Sequence, residues 1–424
     1  MSTEAVTRTT CPYCGVGCGV LARADGVVTG DPAHPANAGR LCSKGTALGE
    51  TLGLAGRQLH PEINGQRASW DAALDLVAAR FAATIAAHGP DSVALYVSGQ
   101  LLTEDYYAAN KLAKSVFGAA NIDSNSRLCM ASSVAGHRRA FGEDIVPGIY
   151  EDLELADLVI LVGSNTAWCH PVLFQRLLAA RAARPAIRPP LRIVVIDPRR
   201  TATCEGADLH LVLRPGSDVA LFTGLLADLW AYGARGDAAG MDDAVAVARR
   251  QTPDARTTAQ LCGLAEADVA QFFAMVRSTP PVVTLFSQGV NQSSAGTDKV
   301  GVIINTHLLT GRIGVPGAGP FSITGQPNAM GGREVGALAT TLAAHLDWDR
   351  PDDLDKLQRF WSGAALPAQP GLKAIDLFRA IGDGRVRAVW ILATNPAASL
   401  PRAGAVRAAL AACPPWAGAR RTAR

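Results

Sequence analysis

The stretch ADLVILVGSN, residues 156–165, joins an unbroken apolar run to an end of small and polar residues. Similar runs recur at SVALYVSGQ (92–100), LRIVVIDPRR (191–200), PVVTLFSQG (281–289) and VRAVWILATNP (386–396). Amphipathic segments rich in Ala and Leu alternate with them, at 70–87, 103–117, 218–234 and 263–277. Strands that alternate with helices of this length predict an α/β fold, with doubly wound parallel sheets covered by helices on both faces.

The ends of these predicted strands are polar, and they read GQ, GSN, DPRR, QGVNQ and TNP. In open parallel sheets, ligands bind at the carboxyl ends of the strands. Small residues there allow close approach, amides donate and accept hydrogen bonds, and Asp197, Arg199 and Arg200 add one carboxylate and two guanidiniums. We therefore expect a large ligand along these edges, although each end taken alone is equally typical of an ordinary turn.

The composition is that of a globular protein with more than one domain. The chain has 424 residues, of which 48% are apolar and 18% charged, and its formal net charge is +3. That charge is too small to indicate nucleic acid or a membrane surface as partner. No apolar run approaches the ~20 residues of a bilayer span, and no export signal is recognisable. We expect a cytoplasmic protein that binds neither nucleic acid nor membrane.

Cysteines are concentrated in the amino-terminal region, at Cys11, Cys14, Cys18 and Cys42. Structural zinc usually takes its ligands from two separated pairs. Three thiols on one tight loop with a distant fourth are more typical of an iron–sulfur cluster, so the spacing favours [4Fe–4S] over zinc. Lys44 is either a cation that stabilises the reduced cluster or an ordinary surface charge.

A further thiol, Cys129, follows a polar run and precedes a helix predicted to begin near Ser132. A cysteine there is either a metal ligand at a helix amino terminus or a buried structural residue. The other cysteines, Cys169, Cys204, Cys262 and Cys413, are interpreted as small apolar side chains, and His170 as a structural residue.

Several long strings identify a family resemblance: CPYCGVGCG with RLCSKG, SNSRLCMASSVAG, VGSNTAWCHPVLFQR, VIDPRRTAT, the segment from QGVNQSSAG to MGGREVG, and LATNPAASLP. From about residue 9 to about residue 412 the chain resembles the molybdopterin oxidoreductases, and within them the assimilatory nitrate reductases.

The resemblance implies a role for each matching residue. Cys11, Cys14, Cys18 and Cys42 would hold a [4Fe–4S] cluster, with Lys44 as an electron relay between the cluster and a pterin. Cys129 would ligate molybdenum, held also by two molybdopterin guanine dinucleotides. The residues that would contact those dinucleotides are Lys44, Gln100, Asn125, Gly163, Ser164, Asn165, Asp197, Arg199, Arg200, Thr201, Gly216, Ser217, Asp218, Gln288, Gln292 and Asn395.

The implied reaction is the reduction of nitrate to nitrite in nitrate assimilation. Formate-oxidising relatives have His after the molybdenum ligand, whereas this chain has Met130, which cannot take a proton. Arg333 is the candidate for attracting nitrate, because its planar fork matches a planar oxyanion, with Met130 and Met330 shaping the pocket. A formate dehydrogenase-type subunit is the alternative. The electron donor would be a ferredoxin, a flavodoxin or an NADH-linked reductase subunit.

The predicted domains are a cluster-binding lobe at 1–58, an α/β dinucleotide-binding domain at 126–334, and a discontinuous α/β domain at 59–125 and 335–424. After about Cys413 the resemblance ends, so we expect the carboxyl-terminal β-barrel domain of the family to be absent. Such a chain is expected to bind the cluster and to hold molybdenum poorly. An inactive iron–sulfur fragment and a zinc-stabilised nucleotide-binding module are the remaining alternatives.

Overall fold

The computed structural model describes residues 6–363, 365–413 and 416–419. Each of the five apolar runs predicted from the sequence contains a strand. Within the described residues the strands are β1 (Val6–Thr10), β2 (Gly19–Arg23), β3 (Val28–Gly30), β4 (Glu62–Ile63), β5 (Gln66–Arg67), β6 (Val93–Val97), β7 (Ile122–Ser124), β8 (Leu158–Val162), β9 (Arg192–Ile196), β10 (Leu209–Leu211), β11 (Val282–Phe286), β12 (Gly319–Ser322), β13 (Ala388–Leu392) and β14 (Trp416–Ala419).

Helices connect most of these strands, as the alternating pattern predicts. The α-helices of the described residues are α1 (Ser43–Thr46), α2 (Trp70–His88), α3 (Thr103–Lys111), α4 (Arg127–Phe141), α5 (Tyr150–Leu155), α6 (Thr166–Cys169), α7 (Pro171–Ala182), α8 (Asp218–Ala231), α9 (Met241–Gln251), α10 (Ala255–Cys262), α11 (Glu266–Arg277), α12 (Gln288–Asn291), α13 (Gly296–Leu309), α14 (Ala329–Glu334), α15 (Pro351–Trp361), α16 (Ala374–Gly382), α17 (Pro396–Ser399) and α18 (Ala403–Ala412). Within the same residues, no helix is both long and apolar enough to cross a bilayer.

The larger parallel sheet has the strand order β10-β9-β8-β11-β12 among the described residues. Every neighbouring pair in it is parallel. On one side of the sheet, β8, β9 and β10 follow one another outward in chain order, and on the other side β11 is followed by β12. The strand order therefore reverses between β8 and β11. Ligands of such sheets bind at the point where the order reverses, so the boundary between β8 and β11 is where a ligand is expected. The predicted doubly wound α/β fold is confirmed.

Side chains of this sheet alternate between two cores. Leu158, Ile160 and Val162 face one core, which α8, α10, α11 and α13 complete. Val159 and Leu161 face the other, formed with α5, α7 and the cysteine-bearing loop that follows β1. This period of two, with both faces apolar, explains why the strand appears in the sequence as an unbroken apolar run.

A second parallel sheet has the order β14-β13-β6-β7 in the described part of the chain. Ala94 and Tyr96 face a core built with α16 and α18. Val93, Leu95 and Val97 face the opposite core, to which α2 and α3 contribute. The carboxyl ends of β6, β7 and β13 therefore lie along one edge of this sheet.

The amino-terminal region is an antiparallel sheet of β1, β2 and β3. The last pair between β1 and β2 joins Thr10 to Gly19, so the loop between them holds three of the cysteines. The Asn37 side chain accepts from the backbone N–H of Gly19 at 2.9 Å and donates to the Gly19 carbonyl at 3.0 Å. This pair of hydrogen bonds fixes the base of the loop to the segment that leads to Cys42.

The described part of the chain divides into two compact units. One consists of the residues up to Thr51 together with Cys129–Pro327, and the other of Leu52–Leu128 together with the residues from Asn328 onward. The domain boundaries predicted at residues 58, 125 and 334 remain a proposal.

Candidate cluster and cofactor site

Cys129 lies in the first turn of α4, which begins at Arg127. The prediction that this helix begins near Ser132 was wrong. The polar residues that precede it form a short turn, in which the Ser126 backbone N–H donates to Ser124 Oγ at 3.0 Å and the Leu128 N–H to the Asn125 carbonyl at 3.1 Å. The helix therefore starts before Cys129, and the thiol keeps its place at a helix amino terminus.

The Cys129 thiol is buried and has polar neighbours. The Gln288 side-chain amide donates to Cys129 Sγ at 3.0 Å and lies 3.7 Å from Met130 Sδ. The Gln288 side-chain oxygen is also buried, and it has no hydrogen-bond partner within the described residues. An unpaired buried acceptor costs free energy unless a ligand or water satisfies it. Gln288 thus orients one polar atom to the thiol and leaves another for a donor that the described residues do not supply.

Thr324 is a second neighbour of Cys129, with its hydroxyl 3.7 Å from the sulfur. Its carbonyl lies 2.7 Å from Nε2 of the fully buried His170. Burial lowers the pKa of His170, so the imidazole is neutral and donates to that carbonyl through Nε2. The structural role predicted for His170 agrees with this geometry.

The thiols of the amino-terminal region act on one another electrostatically. Burial, followed by the charges of the other three cysteines, raises the pKa of Cys18 to about 12. Burial also raises the pKa of Cys11 and Cys14. Lys44 is exposed, and its positive charge lowers the pKa of both thiols, which opposes the effect of burial. The backbone N–H groups of Tyr13 and Val16 lower the pKa of Cys11 and Cys14, against the larger effect of burial. A cation between these sulfurs, such as a bound metal group, would favour their thiolate forms.

Among the described residues, no group of three or more His, Cys, Asp or Glu side chains lies close enough together to hold one metal ion. The choice between zinc and an iron–sulfur cluster at these four thiols therefore still rests on their spacing in the sequence.

Two glycines lie in contact at the boundary between β8 and β11, the switch point where the strand order of the larger sheet reverses. Gly163 has φ of +52°, and a Cβ on it would lie 2.7 Å from the Gly289 Cα. The Gly289 N–H donates to the Gly163 carbonyl at 3.0 Å. Beside them, Ser164 Oγ lies 2.9 Å from Thr166 Oγ1. The side-chain oxygen of Asn165 accepts a hydrogen bond from the Thr203 hydroxyl at 2.9 Å. These residues form a turn with little bulk, at the place where a dinucleotide is predicted.

The end of β9 presents a carboxylate beside exposed cations. Asp197 is buried and accepts from the Arg199 backbone N–H at 2.8 Å. The Arg199 side chain is 73% exposed, and Arg200 is also exposed. Thr201 precedes a short 3-10 turn at Ala202–Gly206. Both guanidiniums are thus exposed to solvent at this edge, and their predicted contact with phosphate remains a proposal.

Asp218, at the start of α8, has an ionic partner that sequence reasoning missed. Lys299 Nζ lies 2.7 Å from Asp218 Oδ2, and both side chains are more than nine-tenths buried. The same ammonium donates to the Gly289 carbonyl at 3.3 Å. Gly216 precedes this helix with φ of +91°, and Ser217 Oγ donates to the Arg214 carbonyl at 2.6 Å.

In the second unit, three predicted contact residues lie at the carboxyl edge of its sheet. The Asn125 side chain accepts from the Gly99 N–H at 2.7 Å and donates to Thr394 Oγ1 at 3.3 Å. It thereby joins the ends of β6, β7 and β13. Gln100 and Asn395 are exposed beside it. This edge repeats the amide-rich character of the edge in the first unit.

Arg333 is buried in α14, with Nη2 2.8 Å from Met330 Sδ. In the first unit, Gln292 follows α12 and is exposed, with its backbone N–H donating to the Gln288 carbonyl at 2.8 Å.

The remaining cysteines were expected to be small apolar side chains. Three of them are buried, namely Cys204, Cys262 and Cys413, whereas Cys169 is exposed and the expectation was wrong there.

The residues present fit the groups that the sequence predicts. Four thiols with a nearby lysine suit an iron–sulfur cluster, and Cys129 with the unsatisfied Gln288 oxygen suits a metal-bound pterin. Sequence reasoning missed Lys299, Thr324 and Tyr150, whose partners are more than 80 residues away in the chain. No periodic or spacing signal relates residues at such separations.

Comparison with known proteins agrees with this assignment. The model of the molybdopterin oxidoreductase family matches residues 62–415. The model of the molybdopterin oxidoreductase Fe4S4 domain matches residues 4–52. These matches confirm the predicted classes of cofactor, a molybdopterin and a 4Fe–4S cluster.

Individual relatives extend the comparison. A nitrate reductase of Klebsiella oxytoca is 57% identical over 413 residues, covering 96% of this chain and 47% of the relative. A nitrate reductase of Shewanella frigidimarina is 48% identical, covering 97% of this chain and 45% of the relative. Acetylene hydratase from Pelobacter acetylenicus has the same fold, with a TM-score of 0.76 at 19% identity over 98% of this chain and 60% of that one. The chain thus spans about half the length of the nitrate reductases it matches.

Proposed function

The chain belongs to the molybdopterin oxidoreductase family, and on that premise we propose that it supplies the cluster- and cofactor-binding part of an enzyme that reduces nitrate to nitrite. The observation that supports this choice most strongly is its similarity to nitrate reductases along almost its whole length. Nitrate assimilation, a cytoplasmic location and a ferredoxin, flavodoxin or NADH-linked donor belong to the same proposal.

Each predicted group has residues that would hold it. Cys11, Cys14, Cys18 and Cys42 would bind the [4Fe–4S] cluster, and Cys129 would bind molybdenum. The edge at Gly163, Asp197 and Asp218 would hold one molybdopterin guanine dinucleotide, and the edge at Gln100, Asn125 and Asn395 the other. When bound, these groups supply the two-electron redox chemistry that converts nitrate to nitrite.

The protein residues contribute charge, orientation and exclusion of water. Lys44 places a cation beside Cys11 and Cys14, where it stabilises the negative charge that accompanies an added electron. Gln288 fixes the Cys129 sulfur by its amide hydrogen bond. Met130 is buried and has no acid–base group, so it shapes the pocket and holds no proton. Arg333 would attract nitrate and bind it through its planar fork.

The formate dehydrogenase-type alternative requires a proton acceptor next to the molybdenum ligand. The residue there is Met130, whose sulfur lies 3.7 Å from the Gln288 amide. The buried His170 already donates to the Thr324 carbonyl and is neutral. A nitrate-reducing site therefore agrees better with these side chains.

The test uses the full chain purified without oxygen, with iron, molybdenum and zinc measured first. Nitrite formation from nitrate is then followed with a reduced viologen dye, and dye reduction by formate is followed in parallel. We expect iron at about four per chain, and nitrite formation in proportion to the molybdenum that the chain retains. Arg333→Lys should raise KM for nitrate more than it lowers kcat. Formate oxidation without nitrite formation, or zinc in place of iron, would overturn the proposal.

A further inference from the structure

A tyrosine outside the cysteine motif touches the loop that binds the cluster. Tyr150 is the first residue of α5, and its hydroxyl lies 3.1 Å from the Gly15 carbonyl and 3.1 Å from the Val16 carbonyl. Burial, and then the charges of Cys14 and Cys18, raise the pKa of Tyr150. The side chain therefore remains a phenol at neutral pH, and its hydroxyl donates one hydrogen bond that these two carbonyls share.

The Gly15 carbonyl and the Val16 N–H belong to one peptide group. On its other side is the Val16 N–H, which lowers the pKa of the Cys14 thiol, as a donor directed at the sulfur does. A hydrogen bond accepted by a carbonyl polarises the peptide and strengthens the bond that its N–H donates. Hydrogen bonds to the sulfurs are among the factors that set the reduction potential of an iron–sulfur cluster.

The tyrosine and the peptide are both held in place. The Arg176 guanidinium lies 5.8 Å from the Tyr150 ring centre, and the Phe321 ring lies 6.0 Å away. Arg176 is itself fixed, since its Nε donates to Glu154 at 2.6 Å and its Nη1 to the Pro35 and Ala36 carbonyls at 2.7 and 2.9 Å. Gly15 is packed so closely that an added Cβ would lie 2.2 Å from the Thr324 carbonyl oxygen. Neither partner has room to swing away.

We propose that Tyr150 is a positioning residue that raises the reduction potential of the cluster, by donating through the Gly15–Val16 peptide to the Cys14 sulfur. The inference rests on the cluster assignment within the proposed function and not on nitrate as the substrate. It predicts that the Tyr150 hydroxyl, and not the aromatic ring, changes the reduction potential of the cluster.

The experiment is a redox titration of the full chain, followed by the EPR signal of the reduced cluster. Tyr150→Phe keeps the ring contacts with Arg176 and Phe321 and removes only the hydroxyl. We expect iron content to stay at the wild-type level and the potential to fall. At a fixed potential the ratio of reduced to oxidised cluster should fall by about three- to tenfold, tenfold being 59 mV for one electron. Tyr232→Phe, at a 71% exposed tyrosine in the same unit, is the matched control.

Two further measurements separate this effect from simple loosening of the loop. In deuterium oxide, the hyperfine coupling of an exchangeable deuteron to the reduced cluster should weaken in Tyr150→Phe. Replacement of Tyr150 by 3-fluorotyrosine, a stronger hydrogen-bond donor, should move the potential above that of wild type. An unchanged potential in Tyr150→Phe, or a lower potential with fluorotyrosine, would overturn the inference while leaving the proposed function intact. A wild-type chain without iron would overturn both.

Discussion

The Gln288 side-chain amide lies 3.0 Å from the Cys129 sulfur, across 159 residues of sequence. Gln288 begins α12 directly after β11, and Cys129 lies in the first turn of α4. The hydrogen bond therefore joins a strand end at the switch point of the larger sheet to the proposed molybdenum ligand. It places the thiol in the same unit as the turn at Gly163.

Replacing Gln288 by Leu should weaken retention of molybdenum and leave iron unchanged. Leu has similar volume but donates no hydrogen bond to Cys129, and loss of such outer partners typically costs about 10–100-fold in metal affinity. The measurement is molybdenum and iron per chain after anaerobic loading with the cofactor and removal of the excess. Gln271→Leu, at an exposed position of α11, is the control. Equal molybdenum in all three proteins would show that the amide has no part in the site.

Replacing Lys299 by Met should destabilise the fold, because it leaves Asp218 buried without its partner at 2.7 Å. Breaking a buried pair in this way typically costs about 3–5 kcal/mol, whereas replacing both partners is often close to neutral. Urea unfolding should therefore show a large loss for Lys299→Met and partial recovery when Asp218→Leu is added. Asp298→Asn, at an exposed pair with Arg139, should change stability by less than about 0.5 kcal/mol. A double variant less stable than the single one would contradict this account.

Lys114 should make stability rise with pH above neutrality. Burial lowers the pKa of Lys114 to about 7, with Asp123 opposing the effect and Arg127 adding to it. Between that value and the pKa of an unfolded lysine, the unfolded chain binds more protons than the folded one. The free energy of unfolding then rises by about 1.4 kcal/mol per pH unit from this group.

The measurement compares wild type, Lys114→Met and the exposed control Lys373→Met in urea from pH 7 to pH 9.5. Lys114→Met should also be less stable at every pH, because it removes the donor to the carbonyls of Gly336, Leu338 and Thr341, at 2.7–3.1 Å from Nζ. The ammonium can donate to all three carbonyls, and the neutral amine still donates to two of them. Its stability should lack the rise with pH that the other two proteins share. Parallel curves for all three would refute the assigned titration.

Replacing Gly163 by Ala should destabilise the larger sheet at its switch point. The new methyl group would lie 2.7 Å from the Gly289 Cα, and φ at this residue is +52°. A cost above about 1 kcal/mol follows from the backbone conformation alone. Gly301→Ala is a matched control, since nothing lies within 4 Å of its added Cβ in α13, and it should stabilise the chain by about 0.5–1 kcal/mol. Unfolding in urea measures both.

The parallel strands could be predicted because each is apolar on both faces. Val159 and Leu161 face one core while Leu158 and Ile160 face the other. Because both faces are buried, the strand appears in the sequence as an unbroken apolar run. Short or small-residue strands such as β7, β10 and β12 give no such signal, because three or four residues are too few to show a period. Their places follow from tertiary pairing.

The candidate site was predictable where one residue type allows few roles. The spacing of Cys11, Cys14, Cys18 and Cys42 in the sequence favours a bound metal ion or cluster over unliganded thiols. Lys299 could not be found in this way, because a lone lysine in an amphipathic helix is indistinguishable from a surface charge. The helix at Cys129 was placed too late because the polar residues before it favour a loop on propensity, and the turn they form starts the helix earlier.

Thr324 contacts both the cysteine-bearing loop and the side chain of Cys129. Its carbonyl packs on Gly15 in the cluster loop and accepts from His170, and its hydroxyl lies 3.7 Å from the Cys129 sulfur. The loop that follows β1 and the Cys129 thiol thus both contact Thr324. A substitution at Thr324 is therefore expected to disturb the two proposed metal sites together.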